Sequence, residues 1–188
     1  MARVKSNIVT QGLSGMLGGT LVFRQQGGRT IVSAAPTETA GEPSERQKAQ
    51  RQRFQEAAIY AKAQIADPNS KAEYATEQNG RNGSAYTIAV ADFLHAPDIR
   101  EVDLSGYEGK RGDAIRIRAT DDFKVVGVTV RIENGDGSLV EQGRAVQQAN
   151  ALDWVYTATA TNADLNGDKI TIRASDKPGH FDEEVRSL

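Results

Sequence analysis

Residues 152–160 read Leu-Asp-Trp-Val-Tyr-Thr-Ala-Thr-Ala, and their alternation decides the fold. Leu152, Trp154, Tyr156, Ala158 and Ala160 fall on one side, with Asp153, Val155, Thr157 and Thr159 on the other, the two-residue period of a half-buried strand. Trp154 is the best single candidate for the centre of a core. The same period recurs on either side. In Ile115 to Ala119 the apolar residues face one way and Arg116 and Arg118 the other; Val126, Val128, Val130 and Ile132 alternate with Gly127, Thr129, Arg131 and Glu133. Asn134 to Gly137 is a strong turn signal, after which Leu139 to Ala145 can return antiparallel. Asn166-Gly167 turns into a segment with Ile170, Ile172 and Ala174 pointing inward. Adding Glu101 to Leu104 and Phe181 to Leu188, six or seven short strands fill about 90 residues, the spacing of an immunoglobulin-like antiparallel sandwich.

Before Pro97 the period is helical, so a domain boundary is expected at residues 96–100, dividing a 1–96 region from a 97–188 sandwich. Ser44 with Gln47 fits a capping box and opens a helix from Glu45 to about Ala66. Phe54, Ala58, Ala61 and Ile65 draw a thin apolar stripe along it. Asp67-Pro68 opens a second helix to Gln78, with Asn79-Gly80 as its stop. Tyr86, Val90, Phe93 and Leu94 share a face of a third helix, Ser84 to Leu94, although Tyr86 to Ile88 could also begin a strand. Further upstream, Thr20 to Gln25 and Arg29 to Ala34 have strand composition and are joined by Gly27-Gly28, a β-hairpin. Leu21 and Phe23 share one face, and Ile31 is read as the matching apolar position with Val32 turned away. A lone hairpin is marginal in water, so the helix stripe or a neighbouring chain is expected to cover it. The class is therefore α+β, with a hairpin and helices preceding the sandwich.

Composition narrows the function. The 188 residues contain no cysteine, which removes disulfides, thiol nucleophiles and thiolate zinc sites. No apolar run is long enough to span a bilayer and no secretion signal is visible, so a cytoplasmic location is expected. Net charge runs from +4 over residues 1–60 through −1 over 61–100 to −5 over 101–188. That asymmetry could orient subunits head to tail. It does not identify nucleic acid: Arg46, Lys48, Arg51 and Arg53 spread around a helix without the interleaved aromatics that stack bases.

No constellation carries chemistry. The glycines from Gly12 to Gly28 lack a Gly-Lys-Ser/Thr ending and lead into a strand, so they are not a phosphate loop. His95 and His180 have no partner at metal or triad spacing. Asp164 to Asp168 imitates the opening of a calcium loop, but the glycine comes early and Ser175 stands where a bidentate glutamate belongs. Arg111-Gly112-Asp113 is an integrin-type tripeptide of the sort that recurs by chance. Asp121-Asp122 and Glu183-Glu184 are adjacent, so on a strand they diverge. An enzyme is not expected, and neither a cofactor nor a metal is called for.

The stretch "IVTQGLSGMLGGTLVFRQQGGRTIVSAAP" at 8–36, followed by "QKAQRQRFQEAAIYAK", resembles structural proteins encoded among phage-like and contractile-injection-system genes. "LDWVYTATA" and "KITIRASDKPGH" are similar to the late strands of bacterial immunoglobulin-like modules. The resemblance implies a component of a phage tail-like particle, a cap adaptor or tail-terminus subunit in a homo-oligomeric ring, with tube, sheath or cap proteins as partners. Leu21, Phe23, Arg24, Ile31, Arg51 and Phe54 are the expected assembly contacts. The competing expectation is a binding module in which loops near Asp121-Asp122, Asn134 to Gly137 and Asn162 to Asp168 grip a glycan or surface protein.

Overall fold

Short apolar runs between glycines become strands at the start of the chain. The computed structural model describes residues 2–3, 10, 12–26, 28–37, 41–76 and 83–188, and the chain divides into two units, Met1–Ser44 and Glu45–Leu188. The first unit is a four-stranded antiparallel sheet of β1 (Ala2–Arg3), β2 (Gly15–Leu17), β3 (Leu21–Gln26) and β4 (Arg29–Ala34), in the order β1-β4-β3-β2. The expected hairpin is its centre, and β1 and β2 extend it on both sides. Gln26 pairs with Arg29, which leaves Gly27 and Gly28 as a two-residue link. Gly28 has φ +72°, which only glycine adopts without strain, while Gly27 lies outside the described residues.

That link corrects the expected facing of β4. The register sets Phe23 opposite Val32 and Arg24 opposite Ile31. Directly opposed residues share a face, so Val32 accompanies Phe23, and Ile31 lies on the other face beside Arg24. A pairing shifted by one residue would exchange the two. Thr30 is a buried polar residue of this sheet, its hydroxyl accepting from Gln25 Nε2 at 2.9 Å and from the Gly12 amide at 3.3 Å.

The second unit opens with α1 (Glu45–Ala66), α2 (Pro68–Thr76) and α3 (Ala85–Leu94). Asp67 caps α2 by accepting from the amides of Asn69 and Ser70, and Ser84 caps α3 by accepting from the Thr87 amide at 3.3 Å. The expected end of α2 at Gln78 and its Asn79-Gly80 stop lie outside the described residues. The stripe on α1 differs from expectation. Its fully buried residues are Ala57 and Ala61, one turn apart, in a cluster with Tyr74, Ala85, Ile88, Ala89 and Val90. Small side chains on α1 and α3 let the two backbones approach, so α2 and α3 take up the stripe. Ala58 is half-buried, Ile65 packs at the margin and Phe54 is 53% exposed.

Eight strands follow: β5 (Asp98–Asp103), β6 (Ala114–Thr120), β7 (Val125–Glu133), β8 (Leu139–Arg144), β9 (Val146–Gln147), β10 (Asp153–Thr157), β11 (Lys169–Asp176) and β12 (Phe181–Ser187). They form two antiparallel sheets, β5-β6-β10-β9 and β12-β11-β7-β8. Lettered in chain order, these are A-B-E-D and G-F-C-C′, the immunoglobulin-like arrangement. Ile115, Ile117, Val128, Val130, Ile132, Trp154, Tyr156, Ile170, Ile172 and Ala174 fill the space between them. Two expected inward positions are exposed. Leu152 precedes β10. Val126 is skipped where the β7–β11 pairing jumps from Gly127–Ser175 to Val125–Asp176, a bulge that turns Val125 inward in its place. The division expected between residues 96 and 97 falls inside this unit, where helices and strands pack together: Phe123, between β6 and β7, stacks on Tyr74 of α2 with centroids 4.3 Å apart.

Candidate functional site

The expected assembly residues occupy two places. In the first unit, alternation and register sort the sheet into two apolar faces. Phe23, buried, lies with Leu21, Val32 and Leu17; on the reverse lie Val22, Ile31 and Met16 with Arg24. Met16, Leu17 and Leu21 are 62%, 60% and 40% exposed. Arg24 is exposed, its guanidinium 3.4 Å from the Ser33 hydroxyl. From Thr10 to Phe23 the sequence carries no charge. Met16 and Leu17, which the sequence reading left out of this sheet, form an apolar pair between glycines that is too short for a periodicity.

In the second unit, Arg51 and Phe54 lie on the front of α1, where every residue from Glu45 to Glu56 is exposed. With Gln50 and Gln55 they line a shallow hollow of about 350 Å³. Arg53 donates to the Leu94 carbonyl at 2.5 Å, and Lys48 pairs with Glu45 at 2.9 Å. This front bears arginine and glutamine around one aromatic ring.

A second concentration of polar groups lies where the helices meet the sandwich. Tyr74 donates to Asp92 Oδ2 at 2.5 Å, and the Tyr60 and Tyr74 hydroxyls are 2.9 Å apart, so one chain of hydrogen bonds joins α1, α2 and α3. Asp92 is fully buried, and its Oδ1 has no hydrogen-bond partner among the described residues. Burial first, and then the nearby carboxylates of Asp121 and Asp176, push Asp92 up to about 7 against the donated Tyr74 hydrogen bond. Burial likewise raises Tyr60 to about 12 and raises Tyr74 further. Lys177, at the end of β11, bonds Glu73 at 2.5 Å and Ser70 at 2.9 Å and stands 4.7 Å above the Tyr74 ring. Its hydrogen bond, with a second from Lys124, holds Glu73 below the usual carboxylate range. The signal for Asp92 was present in the sequence: it follows Ile88 by four residues on the buried face of an otherwise apolar helix.

The remaining motifs serve the scaffold. His95 reaches Asp122 at 2.5 Å; His180 reaches Asp176 at 3.2 Å and sets its edge against Phe93. Asp113 of the Arg-Gly-Asp tripeptide accepts from the amides of Glu108 and Lys110, pinning a loop. In the calcium-like stretch, Asp164 accepts from the Asn166 amide, and Asp168 is buried with Asn162, whose amide nitrogen also faces the Tyr107 hydroxyl. Among the described residues no group of three or more His, Cys, Asp or Glu side chains is placed to hold a metal, and no helix is long and apolar enough to cross a membrane.

No protein-family model matches the sequence, and no curated protein matches it. Two solved structures share part of its shape. CopC from Methylosinus trichosporium OB3b is 17% identical, with 48% of this chain and 88% of that one covered and a TM-score of 0.34. An engineered protein solved as Northeast Structural Genomics Consortium target OR128 is 20% identical, covering 48% of this chain and 18% of that one, with a TM-score of 0.35.

Proposed function

We propose that this chain is a structural, non-catalytic subunit of a phage tail-like particle, of the cap adaptor or tail-terminus kind, whose residues 1–44 join it to neighbouring subunits in a ring. The observation that carries the reading is the two-faced first unit. A sheet in contact with water keeps one face polar, whereas this one bears Leu17, Leu21 and Phe23 on one side and Met16, Val22 and Ile31 on the other. Forty-four residues are too few to bury both faces from within. Companion chains supply what is missing, and closed rings are a common way for them to do so. Within the second unit, the exposed front of α1, with Arg51 and Phe54 outward, offers a further contact of its own.

Sedimentation and negative-stain microscopy of the full-length protein test this. Rings or higher oligomers are expected, and deletion of residues 1–36 should leave a folded monomer. A full-length protein that stays monomeric at high concentration and in the presence of tube and sheath proteins overturns the proposal. So does a truncated protein that still assembles.

A further inference from the structure

The chain Tyr60–Tyr74–Asp92 draws one residue from each helix of the second unit, and it ends on a carboxylate with no access to water and one oxygen unpartnered among the described residues. With Asp92 ionised, Tyr74 donates to Oδ2 and a charged Oδ1 is left buried with no hydrogen-bond partner among the described residues, an unfavourable arrangement. With Asp92 protonated, the order of donors can reverse. Asp92 then donates to Tyr74, which donates to Tyr60, and Tyr60 is half-buried and opens toward solvent. The unpartnered oxygen becomes that of a neutral acid, far cheaper to bury.

The surroundings favour the proton. Asp121, before the loop to β7, and Asp176, at the end of β11, both bring negative charge toward Asp92. Lys177 opposes them from above Tyr74, but Glu73 of α2 holds its ammonium, and Lys124 is bound to that same carboxylate. His180 adds its edge to Phe93 of α3 and is hydrogen-bonded to Asp176. We propose that Tyr60, Tyr74 and Asp92 form a proton-operated clasp, which locks the three helices together while Asp92 is protonated and loosens them when it ionises.

The sign follows from the raised value. In the opened helices Asp92 is an ordinary carboxylic acid, ionised above about 4; in the closed ones it holds its proton to about 7. The clasp is therefore at full strength below about pH 4, weakens as pH rises through 7, and is constant above that.

Hydrogen exchange of α2 and α3 in the full-length protein, corrected for the intrinsic pH dependence of exchange, tests the clasp. Opening should be about tenfold more frequent at pH 8 than at pH 6. Asp92→Asn keeps an acceptor for Tyr74 and cannot ionise, so its opening should be the same at both pH values. Carbon-13 NMR of the Asp92 carboxyl in the unaltered protein should show a midpoint near 7, and decides the matter by itself if Asp92→Asn does not fold. A midpoint near 4, opening that does not respond to pH, or an undiminished response in Asp92→Asn, which would assign the effect to His180 or another group, overturns the proposal.

Discussion

Gly109 shows how tightly one residue can be held. A Cβ there would lie 2.3 Å from the Asn162 carbonyl oxygen and 3.0 Å from Leu165 Cδ2, and its φ of +82° is unfavourable for any other residue. The Asn162 amide donates to the Gly109 carbonyl at 2.8 Å, so the loop after β5 and the loop after β10 close on each other without space for a methyl group. Gly109→Ala is expected to cost roughly 2–4 kcal/mol, since it combines overlap with backbone strain; a melting temperature within a degree of the unaltered protein would show that the loops can part. The sequence makes Trp154 legible because it sits in an unbroken alternation. Gly109 and Asp92 are less so, since each takes its meaning from residues more than fifteen positions away, Asn162 for one and Tyr74 for the other.

Elements were legible where a period ran long. Strands β6, β7, β8, β10 and β11 and all three helices lie close to where alternation, caps and turn residues set them, while the two-residue β9 (Val146–Gln147) is too short to leave a period. The bulge beside Gly127 exchanges Val126 for Val125, a single-residue insertion that a strict period-two reading passes over. On α1, Phe54 has the right spacing for a core stripe, but α3 crosses farther along, over Ala57 and Ala61. For β4, the two-residue glycine link implies the register that pairs Phe23 with Val32, and this gives a test. Val32→Lys places a charge beside Phe23 and should destabilise the first sheet by about 1–3 kcal/mol; Ile31→Lys, on the face that already carries Arg24, should cost less. Chymotrypsin cleavage within 1–44 would rank the two, and the reverse order would place Ile31 beside Phe23 instead.

Along the chain, the change of period predicts a boundary near residue 97, because helices and strands have different signatures. Packing follows a different logic. The helices gain their partners from the sandwich end, through Tyr74 on Phe123, Phe93 on His180 and Lys177 on Glu73 and Ser70, none of which leaves a periodic trace. Residues 45–188 are therefore expected to melt as one cooperative body. Two separate transitions within that fragment would show helices and sandwich to be independent. Of the residues expected as assembly contacts, Leu21, Arg24, Ile31, Arg51 and Phe54 are exposed or partly so and Phe23 is buried, and alternation alone could sort only the strand residues by face.

The first twelve residues of α1 give the molecule a further property. They are exposed, and at about 1.5 Å per residue they amount to some 18 Å of cylinder anchored at its rear by the Arg53 hydrogen bond to the Leu94 carbonyl and by Ala57 and Ala61. A rod held at one end behaves as a lever, so a small rotation at the anchor becomes a displacement of several ångströms at Glu45. Whatever grips the tip would feel any loosening among the three helices magnified, and conversely, a pull on the tip would be delivered to the Ala57 and Ala61 contact.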